Sequence, residues 1–331
     1  LAGIVNPSIL LSPLTTQEAV LSSKIEGTQA TLDEVLEHDA GHDYDDEKTK
    51  DINEIVNYRK VLIQAQESLK DRPLSLGMLK EMHAILMDSV RGQAKSPGEF
   101  RNDQNWIGPK GCKIEDATFI PPSPLQLLDH LQAWERYVAG SDVDILIQAA
   151  FVHAQFELIH PFRDGNGRIG RLLVPLFLFS KRLLSAPTFY LSGYLEKNRD
   201  QYYDTLQGIS ENNAWNRWIE FFLEGVVLQA QENARKVRNS LVLYDDMKER
   251  IRKITHSQYS IQLLDAIFHR PIFQTSDIVH RTGLPKQAIM PLLRRLKVAE
   301  VLTTLREASG RRPARLAFPA LINIAEGRNI V

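Results

Sequence analysis

His160, Asp164, Arg168 and Arg171 fall within twelve positions, and Gly165-Asn166-Gly167 separates the acid from the first arginine. His160 follows the apolar run IQAAFVHAQFELI and precedes Pro161. Proline disfavours helical backbone at the residue before it, so His160 is predicted at a helix end with its ring turned to a cleft. A neutral imidazole there can accept a proton near neutral pH. Taken alone, such a histidine could equally cap a helix or fill a core. Gly165 and Gly167 permit positive φ, which lets successive amides face one side as an anion nest. A helix beginning around Arg168 would aim its positive end at the same place. No GxxxxGK[ST] occurs in the chain, so this is not a P-loop. Arg168 and Arg171, three apart, share a helix face and can fork onto phosphates. Asp164 is the one acid in a basic stretch, most simply a Mg²⁺ ligand that shares the ion with phosphate oxygens. Phe162 is expected to anchor the loop in the core. Together these parts fit attack of a hydroxyl on a nucleotide phosphorus. A glycine-rich helix start with surface arginines would not need all of them.

The elements that must position this loop read as mostly helical. LTTQEAVLSSKIEG carries Thr15 with Glu18 three residues on, a capping-box pattern, and Gly27 as a stop; TLDEVLE repeats the pattern with Thr31 and Glu34. HDAGHDYDDEKTK is acidic and without periodicity, and reads as a solvated loop. DINEIVNYRKVLIQAQESL, LGMLKEMHAILMDSV, LLDHLQAWERYV, NRDQYYDTLQGISE and NAWNRWIEFFLEGVVLQAQENARKVRNSL are predicted helices, as is RIGRLLVPLFLFSKRLL after the loop. Between Phe100 and Pro124, Trp106-Ile107 and Thr118-Phe119-Ile120 flank a Gly/Pro/Lys turn, which predicts a β-hairpin ended by Pro121 and Pro122.

HPFRDGNGR followed by IGR resembles the HxFx(D/E)GNGRxxR signature of the Fic family of protein adenylyltransferases, with every position filled. The resemblance spans about Leu74 to Gly225, flanking helices and hairpin included. It implies that His160 is the base for a target Ser, Thr or Tyr hydroxyl. It implies that Asp164 binds Mg²⁺ with the α- and β-phosphates of ATP. Gly165, Asn166 and Gly167 would form the nest, with the Asn166 side chain on the α-phosphate, and Arg168 and Arg171 would take the β- and γ-phosphates. Ile169 and Gly170 complete the nucleotide-binding run. Thr118, Phe119 and Ile120 resemble the flap that covers the nucleotide and pairs with the target backbone as an added strand. Tyr202 and Tyr203 resemble adenine-pocket tyrosines, and Ser210 stands where relatives often carry Asn. SSKIEG, Ser22 to Gly27, resembles the family's inhibitory (S/T)xxxE(G/N) motif, placed N-terminal to the core. Ser22 and Glu26, four apart, share a helical face. Arg171 would pair with Glu26 or with the γ-phosphate, and occupation by Glu26 would misalign the triphosphate for in-line attack. Some members use the same glutamate to position a water that removes AMP.

The fold expected is mainly α: a Fic-type helical bundle with a β-hairpin flap, plus a small C-terminal winged-helix domain. The divisions expected are 1–73, an N-terminal helical region with the inhibitory motif; 74–225, the catalytic core; 226–254, a helical linker; and 255–331, the winged helix. In this last part TSDIVHRTGLPKQAIMPLLRRLKVAEVL resembles a helix-turn-helix with Gly283 in the turn, and LTTLREASGRRPARLAF a wing with Arg311, Arg312 and Arg315 at its tip. Pro291 falls within its second helix. Basic residues outnumber acidic ones there about two to one. The alternative function is therefore a winged-helix DNA-binding regulator whose core senses nucleotide; docking or dimerisation is the other role open to this part. A third reading keeps the fold and moves phosphocholine or a terminal phosphate, but the intact GNGRxxR favours ATP and AMP transfer. The partners expected are target proteins bearing a hydroxyl, a second copy of the chain, and DNA. The 331 residues carry a net charge of −1, which exerts no global pull on nucleic acid or anionic lipid. No apolar run approaches the roughly 20 residues of a membrane span. Cys112, the single cysteine, allows no internal disulfide, so a reducing, cytoplasmic setting is expected.

Overall fold

A computed structural model describes residues 7–88, 95–109, 111–141, 144–309 and 313–329. Among these are fourteen α-helices and one three-stranded antiparallel sheet. The chain divides into two compact units, each built from separated segments. One comprises Leu21–Thr28 and Asn53–Ala230; the other comprises Leu1–Val20, Gln29–Ile52 and Gln231–Val331.

The first unit positions the loop. It holds the end of α1 (Pro7–Ile25), most of α3 (Asp46–Ser68), α4 (Leu76–Leu86), α5 (Pro124–Ala139), α6 (Ile145–Ile159), α7 (Asn166–Ser180), α8 (Ser192–Lys197), α9 (Arg199–Asn212) and the start of α10 (Trp215–Thr255). Helix α6 is apolar on nearly every side, which suits the centre of a bundle. Trp134 of α5 and Trp218 of α10 pack on it and donate their indole N–H groups to its Val152 and Ala150 carbonyls, each at 2.9 Å. Asp144 caps its start by accepting the Leu146 N–H at 2.8 Å. Its far end delivers the chain to His160.

In the second unit α2 (Leu32–Asp39) starts at the capping box of Thr31 and Glu34. The C-terminal elements are α11 (Ser260–His269), β1 (Ile272–Gln274), α12 (Thr275–Thr282), α13 (Lys286–Val298), β2 (Thr303–Arg306), β3 (Arg315–Ala317) and α14 (Pro319–Glu326). The sheet order is β1-β3-β2, with Ile272 and Thr303 both paired to Ala317. Leu263, Ile267, Phe268, Phe273, Ile278, Ile289, Leu293 and Leu296 form its core. Gly283 takes φ +67 at the end of α12, and Pro291 lies within a continuous α13 on its exposed side.

Four local expectations are corrected. Thr15 does not cap a helix: α1 begins at Pro7, and the Thr15 hydroxyl donates to the Leu11 carbonyl at 3.0 Å inside it. The acidic stretch is loop only in part, because Asp46 and Glu47 open α3, where negative charge complements the helix dipole. The hairpin is a single antiparallel bridge, Ile107 to Phe119, with a 3₁₀ turn at Ile114–Asp116 between its arms. Lys110 of its turn lies outside the described residues. Arg315 is not at a wing tip. It is buried in β3 and paired with Glu37 of α2 at 2.7 Å, an ion pair that no short-range pattern encodes. Arg311 and Arg312 lie outside the described residues.

Candidate active site

His160 ends α6 in a left-handed conformation, φ 48 and ψ 60. A non-glycine residue pays a conformational penalty of about 1 kcal/mol or more there, so the surroundings must hold it. Arg101 does so. Its buried guanidinium donates Nε–H to the His160 carbonyl at 2.9 Å and Nη2–H to the carbonyls of Ile159 at 3.3 Å and Pro122 at 2.6 Å. Its own N–H reaches the Pro161 carbonyl at 2.9 Å. One cation thus ties the last carbonyls of α6 to Pro122, just past the hairpin segment, at the helix end that favours positive charge. The Asn105 amide donates to the carbonyls of His160 and Phe162 at 3.4 and 3.1 Å.

The ring of His160 has a defined tautomer. Nδ1 lies 3.2 Å from the Glu157 carbonyl, which can only accept, so Nδ1 bears the proton and Nε2 the free lone pair. Burial pushes its pKa down to about 4, against the opposing pull of the Glu157 carbonyl and of Glu26. The residue is therefore a neutral proton acceptor across the physiological range.

The loop beyond it is closed on itself. Phe162 is fully buried and stacks on His83, ring centroids 3.8 Å apart and 3° from parallel. His83 accepts the Gly98 N–H at Nδ1, at 2.9 Å, and therefore donates from Nε2 to the Asp164 carbonyl at 3.1 Å. Burial pushes its pKa down to about 4 and keeps it neutral. The Asn166 amide pairs with both backbone groups of Phe162, each at 2.8 Å, leaving one side-chain N–H of Asn166 over. Gly165 takes φ +77 and precedes the first turn of α7, which starts at Asn166 rather than near Arg168. Its amide donates to Asp164 Oδ1 at 2.6 Å. The first N–H groups of α7 have no acceptor within the helix, as at any helix start. They line this end with amides, but of the two glycines expected at positive φ only Gly165 takes it, because Gly167 already lies in the first turn of α7.

Glu26 lies against that end. A Cβ built on Gly167 would collide with Glu26 Oε1 and approach Arg171 Nη1. Gly167 is therefore the position where only a hydrogen leaves room for a carboxylate. Arg171 donates Nη2–H to Glu26 Oε1 at 2.6 Å, Nε–H to the Ser22 hydroxyl at 2.9 Å and Nη2–H to the Ser22 carbonyl at 2.9 Å. The Arg171 side chain is 1% exposed and that of Glu26 is 35% exposed. Burial alone would raise the Glu26 pKa. The charge and hydrogen bond of Arg171, with Arg168 and His160 adding, overcome it and hold the carboxyl below the ordinary carboxylate value. Helix α1 ends at Ile25, and Gly27 at φ +98 turns the chain away, so Glu26 projects from the helix tip.

Arg168 takes a different partner, Glu54 of α3, at 3.0 Å, and its Nη2 lies 3.5 Å from Asp164 Oδ1. Asp164 Oδ2 has no partner among the described residues. No group of three or more His, Cys, Asp or Glu side chains able to hold a metal occurs among them either. A cation could be held here by Asp164 together with phosphate oxygens, the mode that suits Mg²⁺.

Behind Arg171 lies a buried polar chain. His153 donates Nδ1–H to the Gly170 carbonyl at 2.8 Å, so its Nε2 accepts the Tyr202 hydroxyl proton at 3.0 Å. Tyr202 also meets the Glu157 side chain, and Glu157 Oε1 is buried without a hydrogen-bond partner. Burial pushes the Glu157 carboxyl up to about 8, with Arg171 opposing. Gly170 is small because a Cβ there would overlap Glu157 Oε1. Ile169 is fully buried. Tyr203 is 41% exposed, with Arg199 over its ring at 5.8 Å. Ser210 is exposed and donates to the Gln207 carbonyl at 2.8 Å. Phe119 and Ile120 line a cavity of about 710 Å³ with Gln126, His130, Gln155 and Ile159, while Thr118 stays exposed beside it.

The structure thus brings Ser22, Glu26, His160 and Asp164 to Arg171 into one place. Sequence reasoning missed Glu54, His83, Arg101, His153 and Glu157. His153 and Glu157 precede His160 on α6 at helical spacing, which is a signal of sorts. Glu54 lies 114 positions from Arg168 and has none.

A family profile described as Fic/DOC family matches residues 73–178, and one described as Fic/DOC family N-terminal matches residues 1–67. The chain is a Fic/DOC family protein. This Fic protein is 30% identical over 115 residues to a probable protein adenylyltransferase of Aquifex aeolicus, covering 32% of this chain and 33% of that protein. It is 31% identical over 133 residues to the protein adenylyltransferase Fic of Drosophila erecta, covering 38% and 24%. It thus spans a third or less of these curated relatives, which are distant homologues. Its fold is similar to the crystal structure of a Fic family protein from Desulfovibrio desulfuricans, with a TM-score of 0.55 at 19% identity over 95% of this chain and 97% of that one. Fic-1 of Caenorhabditis elegans gives a TM-score of 0.55 at 18% identity, over 74% and 68%. No helix among the described residues is long and apolar enough to cross a membrane.

Proposed function

We propose that this protein transfers AMP from ATP to a Ser, Thr or Tyr hydroxyl of a target protein and of itself, and that Glu26 inhibits the transfer. The observation that carries this reading is the Glu26–Arg171 pair seated against Gly167, beside a histidine whose Nε2 is free. A carboxylate paired to a buried arginine at a helix N-terminus stands where a phosphate would. In the reaction the target oxygen attacks the α-phosphorus, His160 Nε2 takes the hydroxyl proton, and the bond to pyrophosphate breaks. The amides at the start of α7 and the two arginines orient the triphosphate. Bound Mg²⁺, held by Asp164, would neutralise charge on the phosphates. With Glu26 on Arg171, the outer phosphates lose that arginine, and the misplacement costs about a hundredfold in rate. The same glutamate can orient a water that returns the modified hydroxyl.

Incubation with ATP labelled at the α- or the γ-phosphate tests the reading. The Glu26→Gly protein takes up α-label only, and the additional change His160→Ala abolishes it. Uptake of γ-label instead means phosphate transfer and overturns the proposal. For the C-terminal elements we infer a winged helix, supported by the order α11-β1-α12-α13-β2-β3. We favour docking over DNA as its role, because Met290 and Val298 share the exposed side of α13 with Lys286 and Arg294.

A further inference from the structure

Glu54 lies outside every motif, yet one of its oxygens joins two parts of the site. Oε2 accepts from Arg168 Nη1 at 3.0 Å and from the Thr28 hydroxyl at 3.1 Å. The Arg168 and Glu54 side chains are 6% and 14% exposed, so the pair is well shielded from water. Arg168 Nε is buried without a partner, which leaves an edge of the guanidinium available for a further acceptor. Thr28 is buried and stands two residues beyond Glu26. Its N–H and that of Glu26 share the Ser23 carbonyl, at 3.2 and 3.0 Å. The turn that presents Glu26 is therefore stiff, and its outer end is fastened to the same carboxylate that holds Arg168.

We propose that Glu54 is a positioning residue with two roles: it sets Arg168 for the triphosphate, and through Thr28 it fastens the turn carrying Glu26 against Arg171. The proposal rests on Glu26 being the brake, as argued above. Arg168 is buried and always charged, so it needs a fixed counter-charge, and Glu54 supplies one without entering the nest. Helix ends fray unless their terminal groups are tied down, and a hydroxyl bonded to a carboxylate is a strong tie for a turn. Release of Glu26 requires its turn to move, and the turn cannot move far while Thr28 stays on Glu54.

Self-modification by the full chain with α-labelled ATP tests this, with a thermal melt of each variant to confirm folding. Thr28→Val keeps the shape and removes the hydroxyl; it raises labelling about tenfold, the equivalent of 1.4 kcal/mol taken from the brake. Thr28→Ser, which keeps the hydroxyl, labels like the wild type. In the Glu26→Gly background Thr28→Val adds less than twofold, since no brake is left to loosen. Glu54→Gln in that background lowers kcat/KM for ATP about tenfold, a loss Thr28→Val does not reproduce. If Glu26→Gly activates but Thr28→Val leaves wild-type labelling unchanged, or activates equally in both backgrounds, the tether is refuted while the brake stands. Glu54→Gln without effect on kcat/KM refutes the positioning of Arg168. Equal labelling by wild type and Glu26→Gly overturns the brake reading and this proposal with it.

Discussion

On the proposed function, removing Glu26 should have opposite consequences for activity and for stability, and both follow from Arg171. The guanidinium is 1% exposed, and its contacts are Glu26 at 2.6 Å and two on Ser22 at 2.9 Å. Deleting one partner of a fully buried ion pair costs about 3–5 kcal/mol. Glu26 retains 35% exposure, so water screens its side of the pair, and Ser22 stays in place. The expected loss in Glu26→Gly is therefore about 1–2 kcal/mol. On the proposed reading ATP would supply the missing anion. At a hundred times Kd, ligand binding stabilises by about 2.7 kcal/mol, enough to more than offset the deficit. The wild type would have to displace Glu26 before the outer phosphates reach Arg171, so its own gain from ATP should be smaller. Thermal unfolding of both proteins, with and without a slowly reacting ATP analogue and Mg²⁺, checks this. Glu26→Gly melts several degrees lower alone, and the gap closes or inverts with nucleotide, while self-labelling by ATP rises about a hundredfold. An equal nucleotide-induced shift in both proteins would refute the competition for Arg171, whatever the labelling shows.

Two further outcomes are expected. The raised carboxyl of Glu157 makes the folded state bind a proton that the unfolded chain releases above its ordinary value of 4.5. Its contribution to stability is complete below pH 4.5 and is lost as pH rises through its folded value of about 8. Glu157→Gln, a neutral isostere, should flatten that slope in urea unfolding measured from pH 5 to 9; an unchanged slope would show the carboxyl to be ionised in the fold. Arg101→Met leaves the Ile159 and Pro122 carbonyls without their donor, and leaves the His160 carbonyl only the Asn105 amide at 3.4 Å; it should cost about 2–4 kcal/mol of stability, since each buried unpaired group costs about 1–3. In the Glu26→Gly background it should lower kcat more than it raises KM for ATP, because the left-handed His160 loses its support.

Legibility varied with how local each cause was. The end of α6 at His160 follows from Pro161, the start of α2 from Thr31 and Glu34, and the end of α12 from Gly283, all short-range steric or capping effects. The capping pattern at Thr15 failed because the preceding turns join the same helix, and only packing decides whether a threonine caps or lies inside. The hairpin segment was visible as two apolar pieces. How few bridges it would form was not visible, since pairing depends on what lies beside each arm.

By itself the sequence determined the chemical inventory: a base at a helix end, an amide-lined turn, an acid, two arginines, and a glutamate at the tip of a distant helix. These are set by residue type and by spacings of three or four, which local helix geometry converts into shared faces. Tertiary structure alone decided who meets whom: Arg171 with Glu26, 145 positions away, and Arg168 with Glu54, 114 away. It also decided that burial raises the Glu157 carboxyl and lowers the His160 imidazole from their ordinary values. The reason is that charge pairing and desolvation depend on distance and water exclusion in three dimensions, and a chain read in order carries neither quantity.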